Sequence, residues 1–187
     1  WDEELEDVIL TEETGFVALE VPVDDPAFVR AHTARRMAEE DRLLGVLPQM
    51  PDLQAAWLLL RLCAVPRSNH LLRTVLPAEV EDYASRHDRA VWNTLLRLLG
   101  EAPGTEVDTE ALRARASLPG RMGGLGVAAA ARTAPAAFWA GWADALAVLR
   151  DRVPRWVDTV VAALDAPGEP LVPALRALRT CARQLDD

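Results

Sequence analysis

The side chains best suited to chemistry in this chain lie at a few separate places. Asp24 and Asp25 are adjacent carboxylates. Such a pair can hold two magnesium ions for phosphoryl transfer. Pro26 gives them another use, because Asp followed by Pro makes an N-cap and a first helical residue. Capping is the reading adopted. The run LPGRMGGLG, 118–126, is rich in glycine. It lacks the Gly-Lys-Ser/Thr ending of a phosphate-binding Walker loop and follows a helical pattern instead of a strand. Gly123, Gly124 and Gly126 beside Arg121 could expose backbone N–H groups as an anion nest. The preferred reading is a tight turn whose backbone packs on the core. His32, His70 and His87 have no Ser or Cys partner at a recognisable spacing and read as surface or half-buried structural histidines. Cys63 and Cys181 lie far apart in apolar helical patterns. They read as buried thiols of an intracellular, reducing compartment. Neither a metal-ligand spacing nor a cofactor motif is present, so no metal, no cofactor and no catalytic residue is expected.

The densest mixture of apolar and chemically capable residues is CAVPRSNHLLRTVLP, from Cys63 to Pro77. Pro66 is expected to interrupt a helix there, and Pro77 to start another. Asn69 and Arg73, four residues apart, share a helix face. Two readings of Arg67, Asn69 and Arg73 stay open. One is an edge that contacts phosphates; in the other, Arg67 and Asn69 cap the helix ends that Pro66 creates.

The elements that must hold these residues are mostly helical. Residues 1–25 form an acidic arm with ten carboxylates and no base. It has room for one strand over FVALEVPV, paired with Val8–Leu10 or with sequence outside the chain. Residues 26–187 read as an all-α domain, a multi-helix bundle of about eight helices punctuated by proline and glycine. The first helix is expected over Pro26–Leu44, closed by Gly45. The next is capped by Asp52 and runs to Val65. Others follow over Ala78–Leu99, from Asp108 to Ala116, from Thr133 or Pro135 to Arg150, from Pro154 to Leu164 and over Pro170–Leu185. Trp139 and Trp142 share a face and read as core.

Charge is unevenly placed. The net charge of −9 comes from the arm, since the remaining 162 residues hold 19 acids and 20 bases. All 20 bases are arginine, which favours forked contacts to carboxylate or phosphate. Residues 111–155 carry seven arginines against two aspartates. No apolar run approaches the roughly 18–20 residues of a membrane span.

Three segments, taken in order, resemble one family. FVALEVPVDDPAFVRAH is similar to the strand and helix after the active site of non-LTR, LINE-like retrotransposon reverse transcriptases. LLLRLCAVPRSNHLLRTVLP resembles the thumb segment with its cysteine, proline-arginine, asparagine and leucine-leucine-arginine. ASRHDRAVWNTLLRLLG, then LPGRMGGLGVAAAARTAPAAFWAGWADAL, resembles its continuation through a glycine-rich turn. The likeness spans about residues 16–149, and Glu20 stands where the family usually has glycine. The palm and its metal-binding aspartates are not in this chain.

The resemblance implies a non-catalytic, thumb-like region, in the nucleus or cytoplasm, that holds a nucleic-acid duplex weakly through its backbone and without sequence preference. Arg67, Asn69, Arg73 and Arg121 are the positions it marks for that contact. The alternative is a helical scaffold or adaptor that meets a protein partner through the acidic arm or an apolar helix face.

Overall fold

The computed structural model describes residues 15–23, 25–100 and 109–186. The expected strand is a hairpin: β1 (Phe16–Ala18) pairs antiparallel with β2 (Val21–Val23), Phe16 opposite Val23 and Ala18 opposite Val21. FVALEVPV therefore folds on itself. The expected partner, Val8–Leu10, lies outside the described residues. Leu19 and Glu20 make the turn with φ of 50° and 65°, the two positive values of a type I′ hairpin. In such a hairpin the pair next to the turn is hydrogen-bonded and the following pair is not. Pro22, opposite Val17, falls on the second kind, so its missing N–H breaks no ladder bond. His70 holds the tip, its Nε2–H donating to the Leu19 carbonyl at 3.0 Å.

Helix α1 (Pro26–Val46) starts where Asp25 accepts from the Ala27 N–H at 2.6 Å; Asp24 lies outside the described residues. Gly45 does not close the helix. Pro48 ends it, because a proline has no N–H to continue the ladder, and the chain tightens into a 3₁₀ turn at Leu47–Gln49. The Gln49 side chain donates to the Gly45 carbonyl at 2.9 Å.

Helix α2 (Leu53–Leu59) is capped as expected: Asp52 accepts from the N–H groups of Gln54 and Ala55 at 2.9 and 3.1 Å. Beyond Leu59 the path differs from a helix broken at Pro66. The chain widens into a π turn at Leu60–Ala64, tightens into a 3₁₀ turn at Val65–Ser68, and continues as α3 (Asn69–Thr74). A proline clashes with the carbonyl four residues before it in an α-helix. A wide turn before Pro66 and a tight one through it let the helical path pass. The changed winding also changes which side is inside. Ala56, Leu60 and Ala64 are buried, while Cys63, expected in the core, is exposed.

The long helix α4 (Pro77–Leu98) lies against α1. Val29, Met37 and Leu44 of α1 meet Val80, Val91 and Leu95 of α4 in the main core, with Leu60, Leu71 and Leu72 closing it. Helix α5 (Thr109–Ser117) leads through the glycine loop to α6 (Ala130–Arg152). Helix α6 begins before the expected Thr133, because Asp88 of α4 caps it from outside. The Asp88 carboxylate oxygens accept from Ala130 N–H at 2.6 Å and Ala131 N–H at 3.0 Å. Helices α7 (Pro154–Asp165) and α8 (Pro173–Asp186) complete the fold. Arg179 of α8 donates to the final carbonyls of α7, Ala163 at 2.7 Å and Leu164 at 2.8 Å. Phe138, Leu178 and the buried Cys181 form a second core cluster with Trp142 against it, whereas Trp139 is exposed. The architecture is an all-α bundle with a small N-terminal hairpin. Among the described residues no helix is long and apolar enough to cross a membrane.

Candidate nucleic-acid interface

The four marked residues occupy different surroundings. Arg67 is half-buried on the 3₁₀ turn, with a buried Nε that has no partner among the described residues. Its guanidinium is thus partly enclosed by the fold. Asn69 is exposed at the start of α3. It caps no helix with its side chain; its backbone N–H donates to the Pro66 carbonyl. Arg73 is engaged on α6, its Nη2 donating to Asp144 Oδ2 at 2.6 Å. Arg121 is exposed on a 3₁₀ turn, Gly120–Met122, in the glycine loop. The structure therefore keeps Asn69 and Arg73 on one short helix and sets Arg121 on a separate loop.

The loop is a packed turn with no anion nest. Gly123 N–H donates to Gly120, Gly124 N–H to Pro119 and Gly126 N–H to Leu118, at 3.0, 3.3 and 2.8 Å. Each of those N–H groups is occupied by a neighbouring carbonyl, leaving none of the three for a ligand. Gly123 and Gly126 hold φ of 78° and 68°, the left-handed region that favours glycine. A Cβ on Gly126 would come 3.3 Å from Arg61 Nη2, so the loop lies against the π turn of the α2–α3 path.

That packing assembles a basic rim that includes Arg121 and three arginines of the 111–155 segment. Arg61 reaches the loop at Gly126. Arg115 borders the same cavity as Gly123 and Gly124. Arg113 stands 5.2 Å over the Trp92 ring, a cation–π arrangement. Arg132 Nη2 approaches Ser117 Oγ at 3.5 Å. Arg61, Arg113, Arg115, Arg121 and Arg132 are all exposed. None of them forms an ion pair with a described carboxylate. The sequence carries a signal for four of the five: no acid occurs from 111 to 143. Arg61 joins them only through the fold.

A second polar cluster is closed to solvent. Tyr83 Oη donates to Glu40 Oε1 at 2.6 Å, and His87 Nδ1–H donates to Glu40 Oε2 at 2.8 Å. Glu40 and His87 are each 1% exposed. His87 is therefore fully interior, neither surface nor half-buried, and its role is structural: the trio bolts α1 to α4. Burial, reinforced by the bond to Glu40, pushes the Tyr83 phenol far above its ordinary value. Sequence reasoning missed Glu40, whose partners lie 43 and 47 residues away. Among the described residues no group of three or more His, Cys, Asp or Glu side chains is placed to hold a metal.

No family model matches the chain, and no curated protein or solved structure shows significant similarity to it.

Proposed function

We propose that this chain is a non-catalytic, thumb-like helical module of the retroelement reverse-transcriptase type, which holds nucleic acid through its phosphate backbone without reading sequence. One observation carries the reading: five exposed arginines surround the glycine loop with no described carboxylate paired to them. Unpaired guanidinium groups on a rigid helical frame suit phosphate, which accepts their forked donors. Asn69 extends the polar surface on α3. Arg67 and Arg73 contribute through the frame, Arg73 by fixing α3 to α6.

Backbone binding through counterion release weakens with salt in proportion to the phosphates neutralised. Contacts from most of the five arginines give a log–log slope on the order of −4. Fluorescence anisotropy with a labelled duplex of arbitrary sequence measures it. A salt-independent affinity, or none at low salt, would sink the reading.

A second reading has its own observation. Leu58, Leu59 and Leu62 on the α2 path are exposed by 43, 37 and 62%, opposite the buried line of Ala56, Leu60 and Ala64. Such a face suits a scaffold or adaptor that meets a protein partner. Salt separates the two readings, because apolar contacts hold or strengthen in sulfate while phosphate contacts weaken.

A further inference from the structure

Beside Arg115 lies an apolar pocket of about 220 Å³, between the C-terminal half of α4, α5 and the glycine loop. Trp92, Leu95, Leu99, Leu112, Ala116 and Leu125 form its walls, and Arg115 stands at its border. Leu99, Leu112 and Leu125 are exposed by 64, 40 and 37%, so apolar surface faces outward beside Arg115. A second cavity of about 130 Å³ shares Trp92 and Ala116 and is bordered by Arg113. Trp92 is 7% exposed, and its buried Nε1–H has no acceptor among the described residues.

We propose that this pocket receives an unstacked base from the nucleic acid whose phosphates lie on the surrounding arginines, an inference that rests on the backbone-binding reading above. The pocket offers what a base needs once it leaves its stack. Aliphatic walls contact the π-face of the base, and the nearly buried Trp92 is part of the lining. Arg115 at the border complements the phosphate that accompanies the base into any such pocket. A paired base is held by its complement and its stack, and extracting it costs a few kcal/mol. The ligand class is therefore a single-stranded or frayed segment beside a duplex. The walls are almost wholly aliphatic, so base identity matters little.

The test compares two labelled duplexes by anisotropy on the full chain at low salt. One has a short single-stranded overhang; the other has the same overhang made abasic. Stacking is worth about 1–3 kcal/mol per base, so the abasic overhang should bind about tenfold more weakly. Leu112→Asn, at a half-open wall position, should erase that difference and keep the affinity for blunt duplex, with an unchanged circular dichroism spectrum showing that it folds. Equal affinity for the two overhangs, with salt-dependent binding intact, overturns the base pocket and leaves the backbone reading standing. No salt-dependent binding to any of these duplexes overturns both.

Discussion

At Glu20 the backbone holds φ of 65°, a region that costs an L-residue roughly 1–2 kcal/mol. Glycine at this position would avoid that cost. Glu20 is in turn 4.0 Å from Arg36, an exposed contact of little weight. Glu20→Gly should therefore stabilise the protein by up to about 1 kcal/mol, after the larger entropy of the unfolded glycine is discounted. Thermal unfolding measures it, and a lower Tm would show that the turn does not need glycine. The Glu40 trio responds in the other direction. Glu40→Ala leaves a buried phenol and a buried imidazole N–H without an acceptor, at a cost of about 3 kcal/mol, measurable by urea denaturation. His32 is a third case. Burial, and then the nearby Arg35 charge, lowers its pKa from the ordinary 6.5. The unfolded chain then binds the proton first as pH falls, so this contribution to stability is present above about 6.5 and declines below it. Tm should drop on acidification through that window, and His32→Gln should flatten the drop. At this scale the sequence was legible wherever a residue acts on its neighbours. Asp25 and Asp52 cap helices that begin one residue later. Glu40 was not legible, because nothing local marks a carboxylate whose partners come from another helix.

The elements repeat that division. Proline and capping residues marked most helix starts, since both act within one turn. They did not reveal that Pro66 would be passed by a π turn and a 3₁₀ turn, because the choice between breaking and rewinding depends on what the next segment packs against. Nor did they reveal that α6 is capped by Asp88 of α4, which carries its start back to Ala130. Asp88→Ala removes both acceptors and should cost about 1–2 kcal/mol, read by denaturant titration; an unchanged midpoint would show that water caps the helix equally well. Gly141 has a similar hidden role. A Cβ there would overlap the Arg73 carbonyl oxygen, so α3 and α6 approach closely only because this residue has no side chain. Gly141→Ala gains helix propensity and still should destabilise, since backbone cannot yield as a side-chain tip can.

Across the whole molecule, charge is sorted. Seven carboxylates lie in residues 1–14, and five of the arginines that pair with no described carboxylate border the glycine loop. The sequence showed the segregation as a count along the chain. The fold adds Arg61, more than fifty positions from the other arginines of the rim, and it half-buries Arg67 and engages Arg73 on Asp144. Like charge repels phosphate, so removing residues 1–14 while keeping the hairpin should tighten duplex binding at low salt. The most direct measurement is the salt dependence of duplex affinity for the native chain beside a variant with Arg61, Arg115, Arg121 and Arg132 changed to Ser. Removing one arginine–phosphate interaction lowers the slope by about one. The native chain should bind with a steep negative slope, and the variant should bind weakly with a slope closer to zero. Equal slopes for the two proteins would contradict the assignment of nucleic-acid binding to the arginines around the glycine loop.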